Sequence, residues 1–136
     1  MKINIREVGK YTYPDIVVVC EKEEFEDENN DVLLNPIVII EILSDSTEAY
    51  DRGEKFAHYQ LLTSFVEYIL ISQYFYRVEK FTRRDDETWI YSKYQTPEHI
   101  VSIEAVNCEI PVSEIYRKVN LKQHHLKHNR LKMKTT

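Results

Sequence analysis

The chain has 136 residues, 43% of them apolar and 30% charged, with a formal net charge of −5. That is enough length for one domain with one core, and too balanced a composition for a disordered or fibrous protein. Only two glycines occur, Gly9 and Gly53, so no glycine-rich phosphate cradle or dinucleotide fingerprint can be written anywhere.

Ile3-Asn4-Ile5-Arg6-Glu7-Val8 alternates weakly and predicts a short strand, followed by a turn at Gly9-Lys10. Ile16-Val17-Val18-Val19-Cys20 is a continuous β-branched run, the pattern of a strand covered on both faces. Residues 21–31 are strongly acidic and contain Asn29-Asn30; like charges that cannot be buried together predict a solvated loop. Residues 36–43 form a second apolar run, interrupted near its end by Glu41. Asp45-Ser46-Thr47-Glu48 carries N-cap chemistry, with Glu48 placed to complete a capping box. A helix is predicted from there to about Leu62, loosened early by Gly53. Residues 66–71 are a third strand, so strand, helix and strand make a crossover unit.

The rest reads as meander. Residues 76–82 and 88–94 alternate around a turn at Arg84-Asp85-Asp86-Glu87, and residues 100–103 are strand-like. Ile110-Pro111-Val112 and Ile115-Tyr116 suggest a last short segment. The expected fold class is α/β (α+β), a central mixed sheet with a crossover helix. No stretch approaches the length of a membrane-spanning apolar helix, and the N-terminus leads into no signal-peptide pattern, so the expected setting is cytoplasmic, away from membranes. Cys20 and Cys108 form no CxxC pair and read as buried small hydrophobes in a reducing compartment.

Charge is unevenly spread. Residues 117–136 carry seven basic side chains and no acid, which leaves 11 basic against 23 acidic residues in 1–116, a body at −12. Such a body does not attract DNA by its bulk field, and phosphate binding would need local cations. The tail offers a cluster of them, although a solvated terminus explains the composition equally well. His124, His125 and His128 include an i,i+4 pair, yet no third ligand accompanies them.

Three residues break the pattern around them. Asp15 sits at the mouth of the first apolar run, after Pro14, which can start a ladder but not continue one. Glu41 interrupts a wholly apolar strand, where an ionised carboxylate costs several kcal/mol unless paired or metal-bound. Lys55 falls inside the apolar arc of its helix, since Tyr59, Leu62 and Phe56 all lie within about 100° of it on the wheel. Taken singly, each is explained by a satisfied ion pair or a snorkelling lysine. Together, on two strand ends and the connecting helix, they suit metal-assisted hydrolysis. Magnesium takes oxygen ligands and commonly holds to one or two carboxylates, and an ammonium beside it can orient water or offset transition-state charge.

Several motifs follow one known pattern in order. They are Tyr13-Pro14-Asp15 with the apolar run after it, residues 36–44 with Glu41, Thr47 through Lys55 with Tyr59, and Val66-Glu67-Tyr68. The stretch from about Tyr11 to Leu121 resembles the Uma-type family of restriction-endonuclease-like proteins, within the PD-(D/E)XK superfamily. The resemblance implies a restriction-endonuclease-like core and DNA cleavage dependent on magnesium or manganese. It implies Asp15, Glu41 and Lys55 as catalytic residues, and Asp15, Glu41 and Ile42 as metal ligands. Asp51, Arg52, His58 and Tyr59 are expected around them. The wider superfamily has lysine two positions after the second acid; here that position is Leu43, and Lys55 on the following helix takes its place.

The family usually carries a further N-terminal region with a helix that packs on the sheet, and this chain begins at the strand that follows. The expectation is therefore an N-terminally short domain over 1–121, a basic tail over 122–136, and a partly bare sheet face suited to a homodimer. The rival expectation is a catalytically inactive nuclease-fold protein acting as an interaction or DNA-binding module.

Overall fold

Residues 2–5, 10–19, 25 and 32–117 are described in the computed structural model, where the apolar runs settle into ten strands and three short helices. Strand β1 (Lys2–Ile5) pairs antiparallel with β2 (Lys10–Thr12) and parallel with β4 (Val32–Leu33), making a small three-stranded sheet. The principal sheet has five strands: β3 (Ile16–Val18), β5 (Val38–Leu43), β6 (Glu67–Ser72), β7 (Val78–Arg83) and β8 (Trp89–Tyr94), side by side in that order. Only β5 and β6 run parallel; the other neighbours are antiparallel. Two short helices, α1 (Glu48–Arg52) and α2 (Glu54–Tyr59), form the crossover between the parallel pair, as such a pair requires. The chain ends its described course with β9 (Ile100–Ile103), a 3-10 turn (Glu104–Val106), β10 (Cys108–Pro111) and α3 (Val112–Tyr116).

Alternation along the central strands loads both faces of the sheet with apolar side chains, which is why β5 and β6 read as near-continuous hydrophobic runs. One face meets α2 and β1: Ile39, Leu43, Tyr68 and Leu70 pack with Phe56, Tyr59, Leu62, Phe65, Ile3 and Ile5. Phe56 stacks on Tyr68 at 4.7 Å between ring centroids and meets Trp89 edge-on at 5.1 Å. The other face meets β9 and α3, where Val38, Ile69 and Val78 pack with Val101, Ile103, Val112 and Tyr116. This second face also holds a buried ion pair, Lys80 with Glu67 at 3.5 Å. Glu67 accepts the Ala105 N–H at 2.6 Å as well, fastening the 3-10 turn to the sheet.

Several expectations need correction. The run from Ile16 is, among the described residues, an edge strand paired with β5 alone. It ends at Val18 and is only partly covered: Val17 packs against one core cluster and Val18 against the other, while Ile16 stays 46% exposed. The single helix to Leu62 is two helices broken at Gly53, ending at Tyr59. The capping box does not form. Thr47 has a helical backbone, φ −116° and ψ −10°, where a cap residue needs an extended one. Its hydroxyl instead lies 2.7 Å from Ser44 Oγ. The last segment contains the helix α3, whose Tyr116 hydroxyl donates to the Ser72 carbonyl at 2.7 Å. Cys108 is half-buried, and Cys20, the acidic stretch apart from Phe25, and the basic tail past Arg117 lie outside the described residues.

Arg83 secures the end of the crossover. Its guanidinium donates to the carbonyls of Phe65 (2.8 Å), Gln60 (3.0 Å) and Leu62 (3.3 Å) in the turn that follows α2, and it lies 4.6 Å from the Trp89 ring centroid. Arg83→Ala is expected to lower unfolding free energy by about 2–3 kcal/mol, measured by urea titration. An unchanged midpoint would show that water serves those carbonyls equally well.

Candidate active site

Strand register brings the three pattern-breaking residues together. With Ile16 opposite Ile40 and Val17 opposite Ile39, one further step sets Asp15 against Glu41. There the ladder stops, since Pro14 has no N–H to extend it, and side chains take over from main chain. The Asp15 N–H donates to Glu41 Oε1 at 2.8 Å, and the Ile42 N–H donates to Asp15 Oδ2 at 2.7 Å. Two carboxylates are thus interlocked across neighbouring strands, Asp15 exposed and Glu41 only 1% exposed.

Lys55 reaches the same point from α2. Its ammonium forms an ion pair with Glu41 Oε2, stands 3.6 Å from Asp51 Oδ1, and donates to the Tyr13 carbonyl at 3.4 Å. Of the two courses open to a lysine in the apolar arc, snorkelling out or meeting carboxylates, Lys55 takes the second. Asp51, one turn earlier on α1, is itself buried. Its main-chain carbonyl accepts the Tyr68 hydroxyl at 2.8 Å, which ties α1 to the sheet. Tyr59 is fully buried, accepts from the Thr12 hydroxyl at 3.0 Å, and has its ring centroid 5.9 Å from Lys55 Nζ.

The electrostatics are lopsided: one ammonium faces two carboxylates, Glu41 and Asp51, and a third, Asp15, is joined to Glu41 through main-chain N–H groups. Burial pushes the Glu41 carboxyl above its usual range, more than the Lys55 ammonium and the Asp15 N–H pull it down, and the charge on Asp51 adds to the rise. Burial raises Asp51 too, against the pull of Lys55 and Thr47 and with the push of Asp15. Burial and the charge on Glu41 hold the Tyr59 phenol protonated far above neutral pH.

The remaining expected neighbours divide. Arg52 does not touch Lys55 or Glu41; it bonds Glu48 at 2.8 Å and pairs with Glu79 on β7. Glu79 was not singled out in the sequence. It shares a cross-strand row with Leu70 and Glu41, on the same sheet face, and Tyr91 donates to it at 2.6 Å. Burial alone would raise its carboxyl, but Arg52 and Tyr91 together hold it below the usual range. A charged residue inside the alternating run 76–82 was the one available signal for it. His58 is half-buried, and its Nδ1 finds no hydrogen-bond partner among the described residues, so nothing ties it to the cluster. Ile42 turns its side chain outward, 37% exposed, and meets the site through its main chain alone.

Comparison with known proteins gives the family and the fold. A family profile described as "Putative restriction endonuclease", Uma2, matches residues 1–113. The chain belongs to the Uma2 family. An uncharacterized protein of Synechocystis sp. is 36% identical over 93 residues, covering 68% of this chain and 52% of its own. A second uncharacterized Synechocystis protein is 31% identical over 117 residues, covering 86% of this chain and 60% of its own. This Uma2 chain therefore spans between half and two thirds of the length of these cyanobacterial relatives. A crystal structure of a "putative nuclease belonging to DUF820" from Anabaena variabilis superposes with a TM-score of 0.63 at 16% identity, over 85% of this chain and 64% of that one. At that identity the likeness establishes the fold, which is the restriction-endonuclease-like one the sequence resemblance implied. No helix among the described residues is long and apolar enough to cross a membrane.

Proposed function

We propose that this Uma2 chain is a metal-dependent endonuclease that hydrolyses DNA phosphodiesters, with Asp15 and Glu41 holding a magnesium or manganese ion and Lys55 assisting the attack of water. The observation that carries this reading is the excess of negative charge at a partly buried point: Glu41 and Asp51 on the single ammonium of Lys55, with Asp15 joined to Glu41 through its N–H.

The donors that support a hard divalent cation are two, the Asp15 and Glu41 carboxylates, interlocked through the Asp15 and Ile42 N–H groups and offering oxygen alone. Among the described residues no third His, Cys, Asp or Glu side chain joins them in metal-binding geometry, so water would complete the shell. A shared pair of carboxylates completed by water is how magnesium is commonly bound. Ile42 would add its main-chain carbonyl, which Pro14 across the strand end has no N–H to engage. A bound ion would supply polarisation of a phosphoryl oxygen and a lowered pKa for water. The chain's own residues do the rest. Lys55, held by Glu41 and the Tyr13 carbonyl, presents a fixed positive charge to the phosphoryl group as its negative charge builds. Asp51 keeps that ammonium in place from the side of α1. Tyr59 and Tyr68, packed beneath, exclude water from the inner side of the carboxylates.

The reading is tested by plasmid nicking together with thermal unfolding. Nicking is expected with magnesium or manganese and not with EDTA. Added ion is expected to raise stability by about 2.7 kcal/mol at a hundred times its dissociation constant. The pH dependence has a definite sign. Glu41 and Asp51 have folded-state pKa values above their unfolded ones, so the ion-free protein keeps their contribution at acid pH and loses it as pH rises through the raised values. The ion needs the deprotonated forms, so its stabilising effect should grow across that same interval. A protein that neither nicks DNA nor gains stability from either ion would leave only the inactive binding module.

A further inference from the structure

The two edges of the principal sheet are built differently. β3 offers three residues and follows Pro14 and Asp15, a short and blunted margin. β8 offers six residues, Trp89–Tyr94, with no proline, no glycine and a single charge, Lys93. Its register against β7 runs unbroken from Arg83 opposite Trp89 to Val78 opposite Tyr94, so no bulge turns it away. Among the described residues β8 pairs with β7 alone. A long, sparsely charged edge of this kind is a template for a further strand.

The ladder fixes which groups face outward. The Arg84 N–H donates to the Thr88 carbonyl at 2.9 Å, so Thr88 and, by alternation, Ile90, Ser92 and Tyr94 turn their main-chain groups to β7. Trp89, Tyr91 and Lys93 then turn theirs to the free edge. A second copy of β8 lying antiparallel must set these outward residues in hydrogen-bonded pairs, which leaves few two-fold registers. With Ile90 on the axis, Ile90 meets the partner's Ile90, Trp89 pairs with the partner's Tyr91, and Lys93 comes opposite the partner's Glu87. That register covers Ile90, which is 53% exposed. It also covers the outer side of Tyr91, whose ring leans on Phe81 at 5.1 Å and whose hydroxyl serves Glu79. The one cation of the strand is set against the exposed acidic turn Asp85-Asp86-Glu87 at both ends of the joint.

We propose that β8 is a self-association edge: a second copy of this chain pairs with it antiparallel about a two-fold axis at Ile90, joining two five-stranded sheets into one of ten. The axis stands perpendicular to the sheet, so both copies carry α2 and Lys55 on the same side. The proposal does not depend on the nuclease reading, and it uses an edge rather than the sheet face to which the sequence pointed.

Sedimentation equilibrium of the full chain is expected to give twice the 16.3 kDa of one copy, dissociating on dilution. The thermal midpoint should rise with protein concentration. Ile90→Lys sets two like charges face to face on the axis and is expected to leave a monomer. Lys93→Glu and Glu87→Lys each turn two attractive pairs repulsive and are expected to weaken the dimer about tenfold. The two together exchange the charges and should restore most of the wild-type affinity. All three side chains are exposed, so wild-type circular dichroism should accompany the losses. If Ile90→Lys fails to fold, the charge exchange decides alone. A monomer at every concentration, a dimer indifferent to Ile90→Lys, or a charge exchange that restores nothing would overturn the proposal and leave the edge to another occupant.

Discussion

Asp15→Asn is expected to reduce ion-dependent nicking by at least about a hundredfold while leaving the fold intact. Substituting groups that merely support metal ligands commonly costs 10- to 100-fold, so removing the charge of a ligand should cost no less. The geometry explains why the fold survives. The Asp15 main-chain N–H still donates to Glu41, and an asparagine Oδ1 can still accept the Ile42 N–H now bonded at 2.7 Å. The side chain is exposed and its charge adds to the strain on Asp51. The ion-free variant should therefore be as stable as wild type or slightly more so, a common pattern where a site is tuned for activity. Undiminished nicking by Asp15→Asn would take Asp15 out of the site.

Lys55→Ala should behave in the opposite way, failing first in stability. It strands Glu41, 1% exposed, with one main-chain N–H as its remaining partner. Breaking one side of a buried pair costs about 3–5 kcal/mol, a large part of the roughly 5–15 kcal/mol typical of a domain. The sign of the pH effect follows. Lys55 lowers both Glu41 and Asp51, so its loss lifts their folded-state pKa values further above the unfolded ones. Stability is then retained where both acids are protonated and lost as pH rises through the lifted values. Urea midpoints of the variant should fall further below wild type at pH 8 than at pH 5. Placing Lys55→Ala in a Glu41→Gln background should cost less, since Glu41 then has no charge to strand and only Asp51 loses its ion pair. A deficit independent of pH, or equal in both backgrounds, would mean that the ammonium matters only for packing.

The sequence carried the centre of this molecule well and its edges less well. Strands β5, β6, β7 and β8 were legible because long apolar or alternating runs have few alternatives once tight turns bound them. The clustering of Asp15, Glu41 and Lys55 was legible because each violated its local pattern. Arg52 was expected beside that trio but serves Glu79 instead. The exchange depends on a strand register that no local pattern encodes, since Leu70 has to stand between Glu41 and Glu79. The edge position of β3 was not foreseen for a related reason. A run of β-branched residues reports strand propensity, whereas whether a second strand pairs alongside depends on elements distant in sequence. The helix α3 escaped because Val112–Tyr116 is too short for helical periodicity to outweigh the proline before it.

The edge position of β3 has a consequence for how the protein would fail. Asp15 hangs from a three-residue strand with one pairing neighbour among the described residues, while Glu41 and Lys55 belong to the interior of the fold. Peeling that margin away requires no melting of the aromatic core, and such marginal segments open at far lower free energy than whole domains. One half of the carboxylate pair can therefore be withdrawn while the other stays fixed, so the pairing of the two acids and the integrity of the core need not be lost at the same temperature.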